Sequence, residues 1–461
     1  MFKKLFLSSL VSCALCADNQ TQIISQIYPE TTLPYSIELK EADFVLPVGI
    51  HSFASTVYGN EWLIIGGRIN GLHGFDPDND NFPPDQQNSA IYVVDYHKKK
   101  TWFRQLDTSQ EVIDSLSVTN PQYYQKGDTF YIAGGYGVIT STGQFSTKDT
   151  LTAVDIPGII RWVKYETTHS VDKYLRQIHN SAFQVTGGEM SQIGDNPTLL
   201  VFGQNFAGYY YEGSNGDYTR QVRRFLIHDD GRELSAEILD PIPAVPDPSY
   251  RRRDLNVVPI MEGDEKRAFM AYSGVFTPNG AGIWTVPVRI EADGKTQMEN
   301  PNAYNSLKQG MNNYICPTLG LFSKEHRDMY TLFFGGLTYG FFEDNYFKTD
   351  SEVPFTNQIT TIKRDARGIH SQYLMNAEYP VMISTQSNPG NQLLFGTGAM
   401  FFPKLEVPMY ENWVLQLDEL PKGKSHVGYI VGGIQSTVPN TFADSDTAAS
   451  PYIFKVYINK K

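Results

Sequence analysis

The sequence is poor in cysteine, in positive charge and in long apolar runs, and each lack excludes a class of protein. Only 3 of the 461 residues are cysteines. The 50 acidic residues outnumber the 38 basic ones and give a formal net charge of -12, which excludes the basic surface that binds nucleic acids. No apolar run is long enough to span a bilayer, and no long segment has a helical period. We therefore expect no nucleic-acid partner and no transmembrane segment.

The N-terminus has the layout of a secretory signal. Two lysines precede an apolar stretch at residues 5–15, and small residues follow it. We predict cleavage after Ala17, so that residues 1–17 are a signal peptide and residues 18–461 form one secreted or periplasmic domain. The alternative is lipidation of Cys13, because Leu-Val-Ser-Cys resembles a bacterial lipoprotein box.

Cleavage after Ala17 leaves Cys316 as the last cysteine of the chain. A single cysteine forms no internal disulfide, so the fold must depend on a large core rather than on cross-links. Cys316 follows Ile315 in an apolar, strand-like run. We expect it to be a buried small side chain rather than a reactive thiol.

Apolar runs that end in glycine recur six times along the chain. Their glycines are Gly66-Gly67, Gly134-Gly135, Gly203, Gly274, Gly335-Gly336 and Gly432-Gly433. The first four steps between these runs are 68, 69, 71 and 61 residues, and the last step of 97 residues must contain an insertion. A period of about 65 residues fits one four-stranded sheet with long loops. The 28 Tyr, 27 Phe and 38 Gly favour short aromatic strands joined by glycine-rich turns.

Two of these repeats carry a further mark. In each, a glycine doublet is followed by an apolar strand that ends in aspartate and then by a tryptophan. Asp95 precedes Trp102 by seven residues, and Asp155 precedes Trp162 by the same distance. This succession resembles the kelch repeat, clearly in the first two repeats and partially in the other four, which lack the tryptophan. The resemblance implies an all-β, kelch-like β-propeller, for which we predict six blades.

The ends of the chain suggest how such a propeller closes. One twisted sheet has no core of its own, so each blade must stack on its neighbours. The last repeat lacks a fourth strand, and the strand-like segment Ser36–Lys40 stands unassigned before the first repeat. We predict that this N-terminal strand completes the last blade. Seven blades are the alternative, if Gln392–Phe402 and Trp413–Leu417 form a separate short blade.

Long loops follow the glycines, and the kelch resemblance implies that these loops share one face with the starts of the innermost strands. Polar residues near those starts predict a central ligand-binding pocket on that face. We assign to this pocket His51, Arg68, His73, His179, Arg253, Asn256 and Asn313. The alternative is that these groups only cap turns around a water-filled channel. We expect the glycines themselves to be structural, because they let neighbouring sheets approach closely.

An acidic loop after the first glycine doublet has carboxylates at alternate positions, Asp76, Asp78 and Asp80, as a calcium loop does. It departs from that pattern because Asn81 replaces the glycine of the turn. An ordinary acidic loop is the alternative. We therefore expect no required cofactor, with Ca²⁺ as the candidate cation. Histidine spacings typical of zinc or copper sites are absent from the sequence.

Two classes of function fit these features. The first, which we favour, is a monomeric binding protein that recognises a glycan or a protein through the long-loop face and the central pocket. The second is a carbohydrate-active enzyme, because the kelch-like propellers that this chain resembles include sialic-acid mutarotases. Such an enzyme needs an acid/base, for which His51 or His179 is available, and a cation for a carboxylate, for which Arg68 or Arg253 is available.

Overall fold

The chain folds as an all-β, propeller-like ring of sheets. The computed structural model describes residues 25–461, except 77, 79, 166–167, 212, 215, 264, 279–281 and 304–305. Five sheets have four strands each, and one sheet has six. The all-β propeller-like fold is confirmed, whereas the prediction of six blades, with seven as the alternative, stays a prediction because five of these sheets are four-stranded and the sixth is larger. The predicted signal peptide and Cys13 lie outside the described residues.

Four of the sheets are built from consecutive strands of the chain, the first of which lies nearest the axis. Sheet 1 contains Ala54–Tyr58, Glu61–Ile65, Ala90–Asp95 and Lys100–Gln105; sheet 2 contains Gln122–Lys126, Thr129–Ala133, Thr150–Asp155 and Leu175–His179; sheet 3 contains Glu189–Ser191, Thr198–Val201, Val222–Asp229 and Leu234–Ile242; sheet 4 contains Asn256–Met261, Arg267–Tyr272, Val288–Ile290 and Thr296–Met298. Neighbouring strands in these sheets are antiparallel.

Sheet 5 is the sheet with six strands. Its antiparallel centre consists of Thr318–Ser323, Asp328–Leu337, Phe355–Arg364 and His370–Glu378. Two short strands extend it in parallel: Leu415–Gln416 pairs with Leu321 and Phe322, and Ile27–Pro29 pairs with the last strand. The alternative of a separate short blade made of residues 392–402 and 413–417 is therefore wrong, because residues 415–416 join sheet 5 and residues 399–403 join sheet 6.

Sheet 6 is completed by an N-terminal strand. It contains Ala399–Pro403, Gly423–Gly432, Ile453–Lys460 and Tyr35–Glu41. Tyr35 pairs with Lys460 and Glu41 with Phe454 in an antiparallel register. The predicted closing strand is confirmed, because Tyr35–Glu41, from the N-terminal part of the chain, is paired with the last strand, Ile453–Lys460.

The core lies between the sheets rather than in any one of them. Along Glu61–Ile65, Leu63 and Ile65 pack in the cluster shared with sheet 2, whereas Trp62 and Ile64 pack in the cluster shared with sheet 6. This alternation follows the two-residue period of a strand. Every neighbouring pair of sheets, including sheets 6 and 1, shares such a buried cluster. The sheets therefore close into a ring.

Helices are short, and none in the described part of the chain is long and apolar enough to cross a membrane. The α-helices are Gln110–Leu116 and Ile156–Lys164, and the 3-10 helices are Glu30–Thr32, Pro84–Gln86, Val171–Tyr174, Ser181–Phe183, Pro248–Tyr250 and Asp444–Asp446. Asp155 caps the second α-helix, which contains Trp162, whereas Trp102 lies on a strand. The equal spacing of the two tryptophans from aspartate therefore has no common structure behind it.

Long loops carry short hairpins at one end of the ring. The hairpin strands are Tyr136–Ile139 with Gln144–Thr147, Gln204–Asn205 with Asp217–Tyr218, Gly340–Glu343 with Tyr346–Thr349, and Ile434–Ser436 with Thr447–Ala449. Loops from different sheets contact one another: Asn81 donates to Tyr210 O at 2.7 Å, and Leu72 N donates to Thr447 Oγ1 at 2.9 Å. These contacts confirm that the long loops gather on one face.

A belt of backbone hydrogen bonds surrounds the axis at this end. It consists of one residue from the start of each innermost strand, and all six have positive φ: Ser52, Asn120, Gly187, Asp254, Ile315 and Gly398. We call these six the axial belt. The N–H groups of the first four donate to the preceding member around the ring at 2.9, 3.0, 3.3 and 2.7 Å, and Gly398 N donates to Ile315 O at 2.7 Å. Five of the six links are thus closed.

The glycines at the ends of the second strands have the structural role that was predicted. Gly134 has a φ of 62°, and an added Cβ would overlap Val185 O and lie 2.7 Å from Phe183 O, on the segment that leads into sheet 3. Equivalent residue pairs with positive φ occur in all six sheets, but Phe202 and Ser273 take the first position of the pair in sheets 3 and 4. The close approach between sheet 2 and the segment before sheet 3 therefore requires a glycine at residue 134.

We predict that Gly134→Ala lowers the free energy of unfolding by about 2 to 5 kcal/mol, from left-handed strain and overpacking together. Gly127→Ala is the matched control, since Gly127 also has positive φ but no atom within 4 Å of the added Cβ. It should cost about 1 to 2 kcal/mol. Urea unfolding of both variants tests this, and equal losses would contradict a role in sheet contact.

Candidate functional site

The innermost strands enclose a cavity of about 220 Å³ on the axis, which we call the axial cavity. Its polar lining comprises Ser52, Asn120, Tyr123, Glu189, Asp254, Asn256, Cys316 and Thr318. Its apolar lining includes Phe53, Pro121, Leu255, Val257, Pro317, Ala399, Met400 and Phe401. All six sheets contribute, and Ser52, Asn120 and Asp254 also belong to the axial belt. The cavity therefore lies at the long-loop end of the ring.

Glu189 is the carboxyl group of this cavity that lacks a side-chain partner. It is the first residue of the innermost strand of sheet 3 and is partly exposed. No side-chain hydrogen bond or ion pair to its carboxyl group is found among the described residues. Burial raises its pKa from 4.5 to about 8, opposed by a backbone hydrogen bond from Met190. Near neutral pH this carboxyl is thus poised to gain or lose a proton.

Asp254 is the second carboxyl group of the cavity, and it is fully engaged. Arg253 Nη1 donates to Asp254 Oδ2 at 2.7 Å, and Asn120 Nδ2 donates to Asp254 Oδ1 at 3.1 Å. Burial acts to lower the pKa of Arg253, but Asp254 and two tyrosines outweigh it and keep this pKa above its ordinary value. Burial raises the pKa of Asp254, and Arg253 opposes this rise. The two groups form a buried ion pair.

Arg253 also links the cavity to the loop of sheet 3. Its Nε donates to the Tyr218 hydroxyl at 3.0 Å, and its Nη2 donates to the Tyr210 hydroxyl at 3.0 Å. With Asp254, these contacts use Nε, Nη1 and Nη2 of the guanidinium group. Arg253 was predicted to face the pocket, but the structure places it behind Asp254, where it positions a carboxylate and two aromatic rings.

His51 and Arg68 lie at the rim, next to the axial belt. His51 Nδ1 is 3.0 Å from Ser52 Oγ, and the backbones of His51 and Arg68 pair. Burial, followed by the charge of Arg68, lowers the pKa of His51 to about 3. Arg68 donates to Asn70 Oδ1 at 2.9 Å and to Pro83 O at 3.0 Å. His51 is therefore neutral at physiological pH and does not line the cavity.

His73 lies in an aromatic cluster above Arg68. Its ring packs on Phe75, Phe82 and Tyr210 with centroid distances of 4.8, 4.8 and 4.7 Å, and burial lowers its pKa to about 4. Exposed rings continue outward from this cluster, because Tyr209 is 55% and Phe75 44% exposed. Together they form an aromatic surface on the long-loop face.

The other predicted residues have structural or remote positions. Asn256 lines the cavity, but its amide donates to Asn313 O at 2.9 Å and accepts from Cys316 N at 3.2 Å. Asn313 donates to Gly335 O at 2.7 Å. His179 ends the outermost strand of sheet 2, where Nδ1 is 3.0 Å from Asp149 Oδ1. The prediction that His179 lies at the start of an innermost strand is wrong.

Cys316 is buried and free, as predicted. Burial raises the pKa of its thiol to about 12, so the thiol is protonated and unreactive at neutral pH. It nevertheless forms part of the cavity wall. The sequence did not indicate that position.

The acidic loop remains a candidate cation site. Asp76 Oδ1 accepts from Asp78 N at 2.9 Å, and Asn81 Nδ2 donates to Asp76 O at 2.9 Å. No group of three or more His, Cys, Asp or Glu suited to a metal ion is found within the part of the chain that the structure describes. The calcium site at Asp76, Asp78 and Asp80 stays a prediction.

Sequence reasoning missed Glu189 and treated Asp254 only as a local ion-pair partner of the arginines. The signal for Glu189 was its place directly after Gly187-Gly188, two residues beyond a member of the axial belt. Gln122 and Asn256 occupy the same position in sheets 2 and 4. That equivalence becomes visible only when the innermost strands are correctly located.

Glu189 should make stability depend on pH. Because its folded pKa of about 8 exceeds its ordinary value of 4.5, the folded state holds a proton that the unfolded state releases between these pH values. Stability should therefore fall as pH rises from 5 to 9, and Glu189→Gln should remove on the order of a few kcal/mol of this fall. Urea unfolding across that pH range measures the effect, with exposed Glu237→Gln as control. Parallel curves for wild type and Glu189→Gln would contradict it.

Comparisons with known proteins found one similarity to report, and it is to a solved structure. No family model matches the sequence, and no curated protein matches it. Among solved structures, the chain is similar to one described as "Structure of YjhT", with 12% sequence identity and a TM-score of 0.46, over 88% of this chain and 99% of that chain. A likeness at this level identifies neither a family nor a function. Membership of the kelch family is not confirmed.

Proposed function

We propose that the protein is a six-bladed propeller, with the six-stranded sheet as one blade, that binds a small carbohydrate in the axial cavity. The observation that carries this proposal is the lining of the cavity. Hydrogen-bonding groups of Ser52, Asn120, Glu189 and Asp254 share it with the apolar groups of Phe53, Leu255, Met400 and Phe401. A sugar ring presents the matching combination of hydroxyl groups at its edge and apolar C–H groups on its face.

The size of the cavity favours a single sugar unit. A volume of about 220 Å³ is below the 300 to 1,000 Å³ typical of sites for drug-sized ligands. A monosaccharide or the terminal unit of a glycan suits such a space better than a peptide segment does. Concave, enclosed geometry also favours a glycan over a globular protein partner, which requires a broad contact surface.

The aromatic surface on the long-loop face favours a glycan that is longer than the single sugar unit held in the cavity. Tyr209 and Phe75 are about half exposed, and aromatic rings of this kind stack on sugar faces. Tyr210 joins this surface to the cavity, because it contacts His73 and accepts the hydrogen bond from Arg253. A glycan with its terminal unit in the axial cavity would extend across these rings.

Carbohydrate-active catalysis is the second candidate, and Glu189 favours it. A carboxyl group with a pKa of about 8 inside a sugar-sized cavity is suited to general acid/base catalysis near neutral pH. Mutarotation, the reaction implied by the sequence resemblance, requires such proton transfer. Exchange-transfer NMR of the two anomers of a bound sugar tests this candidate. An exchange rate equal to the spontaneous rate would leave binding as the function.

The binding proposal predicts that filling the axial cavity abolishes carbohydrate binding. Met400→Trp places a larger side chain on the cavity wall, whereas Leu405→Trp places one at an exposed position, since Leu405 is 39% exposed. Glycan-array screening of the wild type identifies the ligand, and calorimetry then measures its affinity. We expect at least a tenfold loss for Met400→Trp and no change for Leu405→Trp.

Two results would contradict this proposal. One is the absence of any carbohydrate ligand on the array for the wild-type protein. The other is unchanged affinity in a folded Met400→Trp variant, which would place binding outside the cavity. Ser52→Ala, a small change at the same cavity, provides a second measurement if Met400→Trp does not fold.

A further inference from the structure

Glu189 differs from the residues at equivalent positions in the neighbouring sheets. Gln122, Glu189 and Asn256 each lie two residues beyond a member of the axial belt. Gln122 Nε2 donates to Asn120 O at 2.6 Å, and Asn256 Nδ2 donates to Asn313 O at 2.9 Å. Glu189 makes no such bond in the described part of the chain. The Glu189 carboxyl group is thus available to bind a ligand, because it does not form the hydrogen bond to a backbone carbonyl that Gln122 and Asn256 form.

The charge balance of the cavity leaves one acidic group without a counter-ion. No Lys, Arg or His is among the described residues that line it. The guanidinium group of Arg253 is committed to Asp254, Tyr210 and Tyr218. An anionic sugar would therefore find no free cation in this lining to pair with. A cationic group would gain a charge-assisted hydrogen bond there.

We infer that the ligand of the axial cavity is a sugar that carries a protonated amine, with the Glu189 carboxylate as its counter-ion. This inference rests on the proposed function, because it names the class of carbohydrate that the same cavity takes. The apolar wall of Phe53, Met400 and Phe401 would contact the face of the sugar ring, while the ammonium group reaches Glu189. A buried charge is favourable only when paired in this way.

Binding of such a ligand should release a proton. The other titratable groups that line the cavity are Tyr123 from sheet 2, Asp254 from sheet 4, which is paired with Arg253, and Cys316 next to sheet 5, whereas the described lining residues of sheets 1 and 6 include no titratable group. With a pKa of about 8, Glu189 is protonated in the empty cavity at pH 6 to 7. Because the ammonium ion pairs with the carboxylate, affinity should rise about tenfold per pH unit in this range.

Calorimetric titration with four probes tests the inference: glucosamine, N-acetylglucosamine, glucose and the non-sugar amine cyclohexylamine. We expect glucosamine to bind at least tenfold more tightly than either neutral sugar. Glu189→Gln should abolish this preference, and exposed Glu237→Gln should preserve it. Titrations in buffers of different ionisation enthalpy should show release of up to one proton. Glu189→Asp provides a second variant that keeps the charge and should retain part of the preference.

The possible failures are distinguishable. Neutral sugars that bind as tightly as glucosamine, with no effect of Glu189→Gln, would overturn the amine inference and leave carbohydrate binding intact. Cyclohexylamine that binds as tightly as glucosamine through Glu189 would support an amine site and overturn the restriction to sugars. Absence of binding by all four probes would overturn the amine-sugar inference, whereas a ligand from the glycan array would still uphold the proposed function.

Discussion

The axial belt is the constraint on which the rest of the structure depends. Its hydrogen bonds join the backbone of one blade to the next at the start of each innermost strand, around almost the whole axis. Side chains between the sheets supply the burial that holds the blades together, but the belt fixes where their innermost strands begin. The open link lies between Asp254 and Ile315, where the described residues show no such bond.

The belt also explains why conformational strain and polar chemistry meet at the axial cavity. Four of its six members are not glycine and still have positive φ. Asn and Asp tolerate this conformation, whereas it is unusual for a β-branched residue such as Ile315. Strain of this kind is kept where the surroundings enforce it, often at functional sites. Because the belt residues Ser52, Asn120 and Asp254 also line the cavity, the element that closes the ring presents the polar groups of the site.

The architecture was predictable from the sequence because strands that end in glycine recur along the chain, and steric contacts in the fold restrict which residues can occupy those positions. Six apolar runs that end in glycine mark the ends of second strands, where an added Cβ would meet atoms of nearby segments, and a missing last strand pointed to Ser36–Lys40. The strand count of sheet 5 was not predictable, since Ile27–Pro29 and Leu415–Gln416 are short, distant segments that add in parallel. Residue spacing alone did not predict the structure around Trp162. Trp162 lies in a capped helix, whereas Trp102, at the same distance from an aspartate, lies on a strand.

The site was predicted less well, for a different physical reason. Arg253 and Asn256 were predicted to lie near the axis, but their polar groups form hydrogen bonds with other protein groups. For Arg253, one partner is Asp254, which is adjacent in the sequence, and another is Tyr210, which is distant in the sequence. Whether a polar residue binds a ligand or another part of the fold depends on such partners, which periodicity does not reveal. Asn256 and Glu189 occupy equivalent positions, yet in the described structure the Asn256 amide bonds to the segment before sheet 5, whereas the Glu189 carboxyl has no side-chain partner.

The Glu189 carboxyl group is the proposed point of contact with the ligand. Its ¹³C resonance, identified by its loss in Glu189→Gln, reports directly on that contact during titration with the sugar that the protein binds. We predict that this resonance shifts and that its apparent pKa falls from about 8 when the cavity is filled. Saturation with sugar that leaves both the resonance and its titration unchanged would show that the ligand binds elsewhere.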